Sequence, residues 1–193
     1  MQNLIIAIRG FLKGGTDVAT FLNLHSMPPD FKAFALKHKT LDEVWTQSPR
    51  ADWLLRMLDC IHLVPPQKMR EFGCFCARQV SRQFQDPRSI EILRFVEASN
   101  EGNASWQDVT AVRSAAYQAL ADVQGKGDKL AEELTWTAYS VAKEDAYTAC
   151  YDACVHSMEA LKIMHGKDAK QYIQRQAESL RTLIGRPFEA FRV

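Results

Sequence analysis

The sequence has no long apolar run, no strong net charge, and little glycine or proline. Its apolar N-terminal run, residues 4–8, is too short for a membrane span or the core of a signal peptide. The net charge of +1 excludes the uniform positive field of a non-specific nucleic-acid binder. Nine glycines and seven prolines leave little room for disorder. These absences predict a globular protein of the cytoplasm that does not enter a membrane.

The local motifs that mark common catalytic and cofactor sites are also missing. There is no P-loop, no dinucleotide-binding glycine turn, no nucleophile elbow and no paired-histidine zinc motif. The Gly125-Lys126-Gly127 stretch has no predicted strand before it and indicates a turn. We therefore expect no cofactor and no enzyme activity. One alternative stays open, an enzyme whose site is assembled from distant residues, and its sign would be a deep pocket with a histidine beside a carboxylate or cysteine.

The cysteines are five in number and no secretory signal accompanies them, which favours reduced thiols. Cys74 and Cys76 would point roughly 200° apart on a helix, so they would not bind one metal ion together. Cys150 and Cys154 share a helix face and could supply two ligands, with others from elsewhere in the chain. Because unpaired cysteines are among the most buried residue types, a structural role in the core is favoured and no metal site is predicted.

Apolar residues recur at helical spacing along the chain, and no segment alternates as a set of strands would. The strongest pattern lies within residues 41–61, where Trp53, Leu54, Met57 and Ile61 fall on one stripe. The shorter helix before it opens at residue 40 with a capping box, Thr40 with a glutamate three residues later. Pro49 suits the first turn of the helix that follows.

The predicted fold class is all-α, a single-domain multi-helix bundle of about eight helices over residues 1–193. N-terminal helices are expected in residues 1–38, although the run at 4–8 could be strand or helix. A core region follows in residues 40–123. Neither proline nor glycine interrupts residues 129–165, so residues 128–193 are expected to hold one long helix and a final helix.

Charge is distributed unevenly over the C-terminal part of the chain. Residues 122–159 carry eight acidic side chains against three lysines, a local net charge of −5. Residues 162–193 carry seven basic side chains against three acidic ones, a local net charge of +4. Antiparallel packing of these segments would let the charges compensate each other, which is the favoured explanation. Alternatively the acidic segment is a solvated face that docks a basic partner, with candidate contact residues Glu132, Glu133, Glu144 and Asp145.

Two further groups of charged residues are candidates for contact with a partner, one with a protein and one with a nucleic acid. Arg50 and Asp52 are candidate partner-binding residues beside two tryptophans, although a structural ion pair at the helix junction is slightly favoured. A nucleic-acid contact is the alternative from a different class, because Arg78 and Arg82 lie one helical turn apart and could track phosphates together with the basic C-terminal helix. The basic residues of this alternative are Lys68, Arg70, Arg78, Arg82, Arg88 and Arg94.

One pattern joins several motifs of the chain: Trp45, the segment PRADWLL at 49–55, residues 74–77, the segment DPR at 86–88, and Glu101-Gly102. Together these motifs resemble a group of immunity proteins of bacteria and phages. In that group a W-x-x-x-P-R-x-D-W-L-L segment precedes a short helix with Cys and Ala, a D-x-R segment and an Ala-rich helical tail. The likeness spans about residues 40–120 with a weaker echo at 176–188, and the present tail has fewer alanines.

The resemblance implies a small helical inhibitor that neutralises a toxin or a defence enzyme by binding it directly. A phage anti-defence role belongs to the same expectation. Apolar helix faces left open by the fold would in addition favour a homodimer.

Overall fold

A computed structural model describes residues 17–62 and 64–188 of the chain. Within these ranges the backbone is helical, and a single antiparallel bridge joins Asp17 to Thr40. The α-helices are α1 (Val18–Leu24), α2 (Pro29–Ala35), α3 (Leu41–Gln47), α4 (Ala51–Ile61), α5 (Pro66–Val80), α6 (Pro87–Asn100), α7 (Trp106–Val123), α8 (Lys129–Ser140), α9 (Ala146–His165) and α10 (Ala169–Ile184). Short 3₁₀ helices, Ser81–Gln83 and Gly166–Asp168, follow α5 and α9. The prediction of an all-α fold is confirmed, whereas the apolar segment at 4–8 lies outside the described residues.

The predicted capping box of α3 is present. The Thr40 hydroxyl accepts from the Glu43 N–H, and the Glu43 carboxylate accepts from the Thr40 N–H. The prediction for Pro49 is wrong, because α4 begins only at Ala51. The Ser48 hydroxyl contacts both the N–H and the C=O of Arg50, and these contacts hold the residues between α3 and α4 out of the helix.

The long helix predicted over residues 129–165 is wrong, because the chain breaks it between α8 and α9. The Asp145 carboxylate accepts from the Thr148 N–H at 2.7 Å and so caps a new helix without proline or glycine. On the other side of the break, the Arg70 guanidinium donates to the carbonyl of Lys143 at 2.9 Å. The same guanidinium lies 3.8 Å from the centre of the Trp106 ring. Side chains from α5 and α7 therefore stabilise the break.

Helices α5 and α9 pack against each other and divide the interior into two hydrophobic clusters. One side of the pair packs with α1 to α4 and α10, and the other side packs with α6, α7 and α8. Cys76 lies in the first cluster and Cys74 in the second, as expected for residues two positions apart on a helix. The bundle is thus organised around a central helix pair with a core on each face.

The end of the described chain docks on the junction between α3 and α4. The Trp45 indole donates to the carbonyl of Gly185 at 2.9 Å, and the Phe188 ring packs edge-on against it. Arg181 donates to the carbonyl of Ser48 at 2.7 Å. These contacts join Trp45 to the end of α10 and to the residues after it.

None of the helices in the described ranges has both the length and the apolar character that a bilayer-spanning helix needs.

Candidate functional site

The predicted ion pair at the start of α4 is present and well defined. Arg50 Nε lies 3.0 Å from Asp52 Oδ1, and Arg50 Nη2 lies 2.6 Å from Oδ2. The third nitrogen, Nη1, contacts Asp30 at 2.9 Å, and the guanidinium stacks on Trp53. Burial lowers the pKa of Arg50, but Asp52 and Asp30 outweigh it and the pKa lies above its ordinary value. Asp52 is buried, so its role is structural, whereas Arg50 keeps a third of its side chain exposed.

The exposed part of Arg50 lines an open groove of about 310 Å³, here called the basic groove. One wall comes from the start of α4, and the opposite wall comes from the end of α9, the 3₁₀ turn and the start of α10. Its cationic lining residues are Arg50, Lys162, Lys167 and Lys170, and none of its lining residues within 17–62 and 64–188 is acidic. Its apolar lining residues include Pro49, Met158 and Ile173.

The positive charge of the basic groove is only partly compensated. Lys162 pairs with Glu159 at 2.6 Å, but this is an exposed contact within one helix and contributes little free energy. Lys167 and Lys170 are exposed and form no ion pair within residues 17–62 and 64–188. The N-cap residue of α10 is Asp168, which makes no capping hydrogen bond through its side chain. The groove therefore favours an anionic ligand.

The four carboxylates of the proposed acidic face do not form one surface. Glu132 and Glu133 lie in the first turns of α8, whereas Glu144 and Asp145 lie between α8 and α9. Asp145 caps α9, and Glu144 pairs with Arg113 of α7 at 2.9 Å. Glu132 is half-buried and Glu133 is 5% exposed, so the expectation that Glu133 is solvated is wrong.

Glu133 is instead the centre of a small polar cluster. Its Oε1 lies 2.6 Å from Lys129 Nζ, and its Oε2 lies 2.7 Å from His156 Nδ1. The Trp136 ring stacks on the imidazole with the ring planes 8° apart. A histidine beside a carboxylate is one part of the feature expected of an enzyme site, and the other part is a deep pocket that contains the pair. Neither Glu133 nor His156 lines the basic groove. The cluster is best explained as a contact that holds α8 against α9.

A pH dependence follows from the surroundings of Glu133. Burial raises the pKa of this carboxyl, but the contacts with Lys129 and His156 outweigh it and bring the pKa below its ordinary value of 4.5. The charged carboxylate therefore stabilises the fold above about pH 4.5, and this contribution is lost as the pH falls through the lower folded-state pKa. We expect Glu133→Gln to cost about 1 to 2 kcal/mol at pH 7 and progressively less below pH 4.5.

This prediction is checked by urea unfolding of Glu133→Gln at a series of pH values. Glu132→Gln is the matched control, because Glu132 precedes it on the same helix and makes no ion pair among the described residues. A loss of stability at Glu133 that does not change with pH would contradict the assigned role of its charge.

Four of the six basic residues proposed for nucleic-acid contact already have partners within the described chain. Arg70 is stacked on Trp106, Arg78 pairs with Glu97, and Arg88 pairs with both Asp86 and Asp122. Of the remaining three, Lys68 donates to the carbonyl of Leu183, whereas Arg82 and Arg94 are exposed without an ion pair in those ranges. The set is therefore not one free basic surface.

The acidic and basic C-terminal segments do not compensate each other as the sequence suggested. Helices α9 and α10 do pack together, but only Lys162–Glu159 links the two segments among the ion pairs of residues 17–62 and 64–188. Acidic residues of the first segment pair with Arg88 and Arg113 from other helices. Lys167 and Lys170 of the basic segment make no ion pair within the described ranges, and both line the groove.

Four of the five cysteines lie in the interior, and Cys60 is partly buried. Cys74, Cys76, Cys150 and Cys154 are buried, and burial raises the pKa of the Cys74 thiol to about 12. In the described part of the chain no group of three or more histidine, cysteine or acidic side chains is placed to hold a metal ion. Their packing agrees with the structural role expected from the sequence.

A second cleft, of about 460 Å³, lies between α5 and α6. Among the described residues that line it are three carboxylates, Glu71, Glu97 and Glu101, and one cation, Arg78. Arg78 is tied to Glu97, and burial keeps the Cys74 thiol protonated at neutral pH, so these described residues supply neither an unpaired cation nor a thiolate. The basic groove is therefore the better candidate site.

Sequence reasoning identified Arg50 but missed Lys162, Lys167 and Lys170 as site residues. The available signal was the net charge of +4 over residues 162–193, which did not say which side chains would meet. The turn after α9 brings them opposite the start of α4.

Comparison of the chain with family models, with curated proteins and with solved structures finds no match.

Proposed function

We propose that this protein is a binding inhibitor, which neutralises another protein such as a toxin or a defence enzyme by direct contact. The observation that carries the proposal is the position of residues 49–55, part of the segment that resembles immunity proteins. Its residues Pro49 and Arg50 form one wall of the basic groove. The same segment that resembles immunity proteins thus borders an open, charged recess.

The chemistry of the groove supports a protein partner. Cationic side chains around apolar residues are suited to a contact in which charge steers association and apolar burial stabilises it. Arg50 is held by Asp52 and Asp30 and stacked on Trp53, so its exposed edge is already oriented before a partner arrives. An oriented arginine loses less side-chain entropy on binding.

Capture from a lysate of the native host, followed by reconstitution, tests this proposal. We expect the tagged protein to retain a protein at a fixed ratio, and the two purified proteins to form a complex in light scattering. We further expect the partner's toxicity or enzymatic activity to fall in proportion to the fraction bound. A captured protein whose activity is unchanged in a saturated complex would overturn inhibition, and absence of any stoichiometric partner would overturn the binding role.

A further inference from the structure

We infer that the basic groove receives an acidic segment of the partner protein, with an apolar side chain between its carboxylates. This inference rests on the proposed function and specifies the chemistry of the partner at that site.

Charge complementarity gives the first argument. Four cations are among the described residues that line the groove. Arg50 is paired with Asp52 and Asp30, and Lys162 with Glu159, whereas Lys167 and Lys170 have no ion pair within the described ranges. A ligand whose carboxylates reach Lys167 and Lys170 would therefore be attracted to this end of the groove.

The apolar residues of the groove give the second argument. Met158 is almost fully buried, and Ile173 is half-buried and packed against the first hydrophobic cluster. An apolar side chain placed between the cationic walls would cover Ile173 and Pro49 and remove their exposed carbon from water. A free inorganic anion would not use this part of the site.

The lining also argues for a peptide and against a nucleic acid. Proteins that bind single strands pair a basic groove with aromatic side chains on which bases stack. None of the described residues that line the basic groove is aromatic. Its volume of about 310 Å³ is at the lower end of ligand sites and suits a few side chains of an extended segment.

The experiment uses fluorescence anisotropy with the full chain and two labelled peptides. The first peptide has the core Glu-Glu-Leu-Glu-Glu, and in the second peptide serine replaces the leucine. We expect the leucine peptide to bind more tightly, and its affinity to fall as salt is raised. A labelled oligo-dT strand and inorganic phosphate as competitor serve as the two anionic comparisons.

The test variant is Lys167→Glu/Lys170→Glu, which we expect to weaken binding of the leucine peptide by roughly tenfold or more. Both residues are exposed, Lys167 in the 3₁₀ turn and Lys170 in the first turn of α10, where a glutamate suits the helix dipole, so the variant should fold. Arg82→Glu/Lys126→Glu is the matched control, because it makes the same change in net charge at exposed positions outside the groove. We expect this control to bind the peptide like the wild type.

Three results would overturn the inference: equal affinity for the leucine and serine peptides, tighter binding of the oligonucleotide, or equal loss in both double variants. Phosphate that displaces the peptide at stoichiometric amounts would show a simple anion site and would overturn it as well. A partner captured from lysate and retained by Lys167→Glu/Lys170→Glu would refute the groove assignment while leaving the inhibitor function standing. Absence of any captured partner would refute the function itself.

Discussion

Gly73→Leu is expected to lower the free energy of unfolding by about 3 kcal/mol or more, a large share of the stability of a domain of this size. Gly73 lies where α5 and α9 are in close contact. A Cβ atom built there would lie 3.3 Å from the Cα of Cys150 and 3.8 Å from the carbonyl oxygen of Ala149. The neighbours are backbone atoms, so they cannot rotate away, and the helices that separate the two clusters would be pushed apart. Urea unfolding followed by circular dichroism measures the change.

Two further variants make this prediction specific. Gly73→Ala adds only the Cβ, and its better helix propensity offsets the tight contact, so we expect a net change within about 1 kcal/mol. Glu71→Leu introduces the same leucine on the same helix at an exposed position and should cost little. If Gly73→Leu were as stable as Glu71→Leu, this result would contradict the close contact between α5 and α9 at Gly73.

Helices whose signals are local could be predicted from the sequence. The capping box at Thr40 and the apolar stripe of α4 involve residues within about two turns of one another, so spacing alone reveals them. The break after Ser140 has one local signal, the Asp145 cap, and it depends also on Arg70 and Trp106, which lie more than 30 positions earlier in the chain. A pattern within a short stretch of sequence does not include such distant partners. For this reason the pattern predicts one helix where the structure has α8 and α9.

The candidate site could be predicted only in part, for a similar physical reason. Arg50 was identified because it lies in a patterned segment, whereas the lysines of the groove are ordinary surface residues in sequence. Glu133 shows the reverse case. It looks like its neighbour Glu132, but the helix rotates it toward His156, and there the carboxylate is buried and paired. The exposure of a charged residue depends on how its helix packs. The identity of two adjacent residues does not show this.

Trp45→Ala is expected to cost about 3 to 5 kcal/mol, because the indole is almost fully buried and fills space between α3 and the end of the described chain. Its N–H also donates to the carbonyl of Gly185 at 2.9 Å. Trp45→Phe keeps an aromatic ring but loses this hydrogen bond and part of the buried volume, so we expect it to cost about 1 to 3 kcal/mol. Chemical denaturation of both variants gives the comparison.

A double-mutant cycle with Phe188→Ala isolates the contact across the junction. The two ring centres lie 5.9 Å apart in an edge-on arrangement. We expect a coupling energy of about 0.5 to 1.5 kcal/mol, whereas additive effects of the two substitutions would contradict the contact.

The junction between α3 and α4 also positions one wall of the basic groove. We therefore expect the contacts of Trp45 to affect binding as well as stability. Pro49 and Arg50 form one wall and the start of α10 forms the other, while Trp45 and Arg181 hold the far end of α10 against the segment before Pro49. We therefore expect Trp45→Ala, under conditions where it stays folded, to weaken binding of the acidic leucine peptide. Trp45→Phe should retain that binding, because the ring still holds α10 in place. Equal peptide affinity in wild type and Trp45→Ala would show that the walls are positioned independently of this contact.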